Sequence, residues 1–222
     1  MINLPINIKS KKFIIAITIS VVVAIVYFIM KRKKKISVFF KEPKSASVHN
    51  MIERKNMKKP IDNKYSISLF INIKEWYNKF REWKHVFHIG SKIKEGEHIT
   101  WNSIPNQSPG VWLTPKLNNL RIVFSNHSSD SFKNDHITHQ YVDIENIPIN
   151  EYFNLIINVE HTSLSIYLNG KFIRTLLLSE MPIFSCGNMY LNYNGGFNGH
   201  IKKLTYYEKI LSLKEINKIS KH

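Results

Sequence analysis

The 222 residues carry 32 Lys/Arg against 16 Asp/Glu, a formal net charge of +16, and a single cysteine. One cysteine excludes an intramolecular disulfide scaffold and suits a reducing compartment. The charge argues against a nucleic-acid partner, because residues 1–44 hold a net +9 and the other 178 only +7, with no long basic stripe.

Residues 1–12 are too short to fold and read as a tail. Phe13–Met30 then runs eighteen residues without a charge. A helix of that length rises about 27 Å, close to the roughly 30 Å hydrocarbon core of a bilayer. Lys11 and Lys12 precede it, and Lys31, Arg32, Lys33, Lys34 and Lys35 follow. A single transmembrane helix is therefore expected over 13–30, its basic flanks set against the headgroups of a lipid bilayer. A cleaved signal would have a shorter apolar region and a small-residue site after it. Five basic residues in 31–35 against three in 9–12 place the following domain on the cytoplasmic face. Residues 31–62 read as a basic juxtamembrane segment and linker. Within them Ile36–Phe40 is a brief apolar patch, and 41–60 lack apolar periodicity.

A folded domain is expected over 63–222, where the period changes to two. Tyr65, Ile67, Leu69, Ile71 and Ile73 alternate with mostly polar neighbours in one strand. Further strands are expected over His85–Ile89, Gly110–Leu113 and Leu120–Ser125, and Ser125–Gln140 reads as a long polar loop. Strands over Phe153–Glu160 and Leu164–Leu168 follow. Asn169-Gly170 then marks a type I′ turn into Phe172–Leu178, since both central residues need positive φ. Met189–Tyr193 and His200–Tyr207 complete the strands. Ser212-Leu213-Lys214-Glu215 is a capping box that starts a last helix, with Ile216 and Ile219 placed to pack on a sheet. About ten short strands and little helix describe an all-β, antiparallel β-sandwich.

Several segments in order resemble one family. They are Tyr65-Ser66-Ile67-Ser68-Leu69-Phe70, Pro109-Gly110-Val111-Trp112-Leu113, and Ile147-Pro148-Ile149-Asn150-Glu151-Tyr152-Phe153. Ile166-Tyr167-Leu168-Asn169-Gly170-Lys171, Gly196-Phe197-Asn198-Gly199-His200-Ile201 and Leu211-Ser212-Leu213-Lys214-Glu215-Ile216 follow. Together, over roughly residues 63–220, they resemble the laminin-G-like, concanavalin A-like jelly-roll domains. Tyr152 and Phe153 stand where that family usually has a Trp. A domain of this kind on a membrane anchor is also similar to membrane proteins of large DNA viruses with an internal membrane. That resemblance implies a virion protein facing capsid components.

The β-glucan-cleaving members of the superfamily use an E-x-D-x-E run of three carboxylates on one strand face. Here the nearest run is Tyr141-Val142-Asp143-Ile144-Glu145, with Tyr141 at the nucleophile's position. No enzyme is expected. No cofactor is expected either. His85 and His88, three apart on a strand, point to opposite faces. His136 and His139 lack further ligands at a defined spacing. Asp130 and Asp135 are weak candidates for Ca2+, which needs six or more oxygens. Cys186 reads as a small core residue. Among the four tryptophans Trp112 belongs to the core. Trp101, beside Asn102 and Asn106 in a loop, is the candidate ligand-binding residue. The expected function is non-catalytic: a membrane-anchored protein tethering a virion inner membrane to its capsid or, alternatively, a surface lectin recognising glycans. The sequons Asn106-Gln107-Ser108 and Asn126-His127-Ser128 would be usable by an exported domain.

Overall fold

The structure is a computed structural model that describes residues 8–33, 36–57, 63–93, 99–127, 137–183 and 187–221. It divides into two compact units, Met1–Ile36 and Ser37–His222.

Among its described residues the first unit holds one helix, α1 (Ile8–Lys33), whose backbone takes in the whole uncharged stretch. Side chains are described for 15–27 and are exposed throughout. Among the described residues no helix is long and apolar enough to cross a membrane. Thirteen residues rise only about 20 Å, short of a hydrocarbon core of about 30 Å. The expected span over Phe13–Met30 is thus not carried by the described residues alone. The side chains at both ends of that span and those of Lys31, Arg32 and Lys33 lie outside them, as do residues 1–7, Lys34 and Lys35.

Thirteen strands follow among the described residues, all in the second unit save the first residue of β1. They are β1 (Ile36–Phe40), β2 (Lys44–Ser45), β3 (Asn50–Ile52), β4 (Lys64–Glu75), β5 (Lys84–Gly90), β6 (Gln107–Leu113) and β7 (Leu120–His127). The rest are β8 (Ile137–Ile144), β9 (Tyr152–Glu160), β10 (Ser163–Leu168), β11 (Lys171–Leu177), β12 (Asn188–Leu191) and β13 (Asn198–Tyr207). One sheet has the order β1-β13-β4-β9-β10-β11, with β2 also on β13, and the other β3-β12-β5-β6-β7-β8. Every pairing recorded between them is antiparallel, so the expected β-sandwich is what forms.

Alternation drives the packing. In β4, Tyr65, Ile67, Leu69, Ile71 and Ile73 turn inward, joined by Phe153, Leu155, Ile157 and Val159 of β9. They meet Phe87, Val111, Leu113, Ile122 and Phe124 of the other sheet in one buried cluster. The β10–β11 hairpin turns on Asn169 and Gly170 at φ 49° and 78°, as a type I′ turn requires. The last helix, α2 (Leu213–Ser220), has the expected box: Glu215 N–H donates to Ser212 Oγ, and Ser212 N–H donates to Glu215 Oε2. Its Ile216 is buried with Leu211, Ile156 and Tyr167, and Ile219 packs partly against them.

Two expectations needed correction. Residues 36–57 are not a linker: β1 and β2 pair in one sheet and β3 pairs with β12 in the other. Their pairing uses backbone groups, and only Ala46 and Met57 are buried as anchors, so no side-chain period marks them. The polar loop also ends sooner than expected, at Ile137, where β8 begins and pairs with β7 along its length. As the last strand of its sheet β8 buries only Val142 and Ile144, and its polar first half reads as loop.

Candidate functional site

The outer face of the six-stranded sheet carries two rows of side chains across its strands. One row is His85–Trp112–Arg121–Asp143, and the next is Tyr190–His88–Gly110–Val123–Tyr141. The segment after β5 folds back over this face. Ile93, Ile99 and Ile104 close a second apolar cluster on Trp112 and Val123, against which Trp83, Trp101 and Tyr193 pack.

Gly110 makes this cover possible. A Cβ there would lie 2.0 Å from Gln107 Oε1, so only glycine lets the Gln107 amide lie on the sheet. Fully buried, Gln107 accepts a hydrogen bond from Trp112 Nε1 (2.9 Å) and donates through Nε2 to the carbonyl of Trp101. The backbone under Trp101 is thereby tied to the core.

At the centre of the exposed part lies Arg121. Its guanidinium donates to both oxygens of Asp143, Nε to Oδ1 at 2.7 Å and Nη2 to Oδ2 at 2.6 Å. Aromatic rings surround it: Tyr141 at 3.7 Å from the ring centroid, Trp101 at 4.7 Å and Trp83 at 4.9 Å. The Arg121 side chain is 13% exposed and that of Asp143 30%. A fork-to-fork pair so placed is rigid, and its outward oxygens and N–H groups stay within reach of solvent. Beside it, Trp83, Arg121, Asp143 and the turn at 114–119 line a cleft of about 310 Å3.

Of the expected ligand residues, Trp101 lies next to this cleft, against the Arg121 guanidinium and edge-on to Tyr141 at 4.9 Å between ring centroids. Asn102 is exposed beside it and accepts from Thr100 Oγ1. Asn106 turns inward. Its backbone carbonyl accepts from Ser91 N–H at 2.9 Å, and its Oδ1 is buried without a partner among the described residues. Asn126 is fully buried and donates to Gln140 Oε1, so neither sequon presents its amide freely. Asp143, read as part of a degenerate carboxylate run, is the ion-pair partner of Arg121. Arg121 itself was missed. Its trace in the sequence is an outward-facing position in Leu120-Arg121-Ile122-Val123-Phe124, which only strand pairing sets opposite Asp143.

His85 and His88 correct another expectation. A bulge between His85 and Phe87 puts both rings on the outer face. Tyr193 N–H donates to His85 Nδ1 at 3.1 Å, so the ring proton sits on Nε2 and is donated to His88 Nδ1 at 2.9 Å. His88 Nε2 donates in turn to the Ser91 carbonyl at 2.8 Å. Every ring nitrogen is used and both rings are neutral. Burial holds His85 well below the usual imidazole range and His88 down to about 4. Among the described residues no three His, Cys, Asp or Glu side chains gather in a way that could hold a metal ion. Asp130, Asp135, His136 and Cys186 lie outside the described residues.

No family model matches the chain, and no curated protein matches it. Solved structures do. The binding domain of botulinum neurotoxin serotype D/C is 16% identical, with 84% of this chain and 46% of that one aligned at a TM-score of 0.57. The binding domain of botulinum neurotoxin DC in complex with SialylT gives 16% identity over 84% and 45%, TM-score 0.57. The same domain in complex with rat synaptotagmin II gives 15% over 84% and 46%, TM-score 0.53. This chain spans less than half the length of each. At such identities the likeness establishes a shared jelly-roll-like sandwich and nothing finer. These are toxin binding domains and not viral proteins, so the virion expectation draws no support from them.

Proposed function

We propose that this chain is a non-catalytic, lectin-like binding module that takes carbohydrate in the cleft over Arg121 and Asp143. The observation that carries the reading is the bidentate Arg121–Asp143 pair ringed by Trp83, Trp101 and Tyr141. A sugar offers adjacent hydroxyls to such a fork and an apolar ring face to an indole. The similar toxin domains, one solved with SialylT and one with synaptotagmin II, support a binding role without chemistry. Both carboxylate oxygens of Asp143 accept hydrogen bonds from Arg121, so neither stands free as a nucleophile.

Membrane attachment is part of the proposal, and it rests on the uncharged Phe13–Met30 and its lysine-rich flanks. A second reading, a tether from that membrane to a protein layer such as a capsid, is favoured by one observation. The excess of basic residues after the helix orients the sandwich to the cytoplasmic face, where protein partners outnumber glycans. Protease added to intact microsomes should digest the sandwich if the tether reading holds and spare it if the module meets glycans outside.

The glycan reading is tested with the full chain in neutral detergent on a glycan array. A defined glycan class should bind, and Trp101→Ala should weaken it at least about tenfold through lost stacking. An array without a hit, or binding indifferent to Trp101→Ala and Arg121→Ala, would move the assignment to a protein ligand.

A further inference from the structure

The outer face of the other sheet holds a groove of about 610 Å3 that no reading above uses. Phe70 of β4 and Tyr207 of β13 line it, as does Val38 of β1. Lys41, Lys202 and Lys203 also line it, against one carboxylate, Glu42. A break in β13 produces this concentration of charge. Register shifts between Lys202 and Thr205, and Lys203 takes a φ of 51°. Two successive lysines therefore face one groove, where a regular strand would send them to opposite sides.

The lysine side chains are held by aromatic rings. Lys202 Nζ lies 3.9 Å from the Tyr152 centroid and 5.6 Å from that of Phe70, and Lys203 Nζ lies 5.4 Å from Phe70. None of the described ion pairs involves Lys41 or Lys202. Cation–π contacts orient an ammonium without neutralising it. The groove thus joins an apolar lining to a net positive rim, which fits a ligand with an anionic head and an apolar continuation.

We propose that it holds the headgroup of an anionic phospholipid, with Lys41 and Lys202 on the anionic head and the apolar lining against the first methylenes of the acyl chains. The proposal rests on reading Phe13–Met30 as an anchor. β1, which supplies Val38, begins in the chain three residues after Lys33, the last of α1. Ile36 and Val38 of that strand are 44% and 49% exposed, apolar surface that an interface would cover.

The full chain in neutral detergent is titrated with dioctanoyl phosphatidylserine, dioctanoyl phosphatidylcholine and inorganic phosphate. The anionic lipid should bind at least about tenfold tighter than the other two, and Lys41→Glu with Lys202→Glu should weaken it about thirtyfold. A Lys171→Glu, Arg174→Glu control on β11, melting like the wild type, should bind normally. Equal binding of both lipids, or an unaffected Lys41/Lys202 variant, overturns the proposal. Phosphate binding as tight as the anionic lipid overturns it in favour of a soluble anion. The anchor is read separately by carbonate extraction from microsomes: a chain that washes off removes the anchor while the detergent titration still judges the groove.

Discussion

Acid should destabilise the sandwich well before its carboxylates titrate. His85 and His88 are neutral in the fold, and burial keeps their pKa values below the usual 6.5, His88 at about 4. The unfolded chain therefore takes up protons first. Stability is full above pH 6.5 and falls as the pH drops through the window between the unfolded and folded values. For His88 that window costs about 3 kcal/mol by pH 4, roughly 1.4 kcal/mol per unit, and His85 adds in the same direction. Neighbouring His49 works the same way, because its charge disfavours protonation of either ring. Urea unfolding at pH 7.5 and pH 5 should show a loss of a few kcal/mol. Two carboxylates are also held low: Glu215 at about 2, chiefly by its hydrogen bond from Lys209, and Glu160 by its bond from Lys64. Their contributions are lost only at lower pH, outside this comparison. The double variant His85→Gln, His88→Asn should remove most of this slope whatever its own stability, leaving the smaller part from half-buried His139, whose pKa burial also lowers. A wild-type profile already flat from 7.5 to 5, or a slope undiminished in the variant, would contradict the neutral buried pair.

Trp112→Ala should cost about 3–5 kcal/mol, the usual loss for a large buried aromatic. Trp112 is fully buried at the middle of the outer-face cluster and stands edge-on to His85 at 4.6 Å. Its Nε1 hydrogen bond holds Gln107, which in turn holds the carbonyl of Trp101. The variant should therefore lose the proposed glycan binding together with stability. Trp112→Phe separates the two effects. It keeps most of the buried area but leaves Gln107 Oε1 unsatisfied, at about 1–3 kcal/mol. Its melting point should fall less than that of Trp112→Ala, while Trp101 is released from its tie. Glycan binding unchanged in Trp112→Phe would show that the Trp101 segment does not depend on this bracket.

Several features are legible in the sequence alone. Residues with a strict period declare themselves: Tyr65 to Ile73 as an inward-facing strand, Asn169-Gly170 as a positive-φ turn, and Ser212 with Glu215 as a helix cap. Each depends on neighbours within a few positions, so local sterics and hydrogen bonding suffice. The antiparallel sandwich followed from their sum. The uncharged run from Phe13 to Met30 is equally local, and it marks a helix with an apolar surface on every side.

The proposed binding surface is another matter. Arg121 and Asp143 are 22 positions apart and meet only because β7 and β8 pair in one register. Trp101 reaches them because Gly110 leaves room for Gln107, a long-range contact with no sequence period. His85 and His88 share a face through a bulge, a one-residue irregularity that reverses the alternation rule. Lys202 and Lys203 share their groove for the same reason. The strands at 36–57 pair with β12 and β13 through backbone groups, and Phe39, Phe40 and Ile52 pack on the core, contacts with residues far along the chain that no local period marks. Local pattern thus determined which segments become strands and where they turn. Register, bulges and the fold-back of the segment over Trp112 decided what those strands present to a ligand, because they set contacts between residues far apart in the chain.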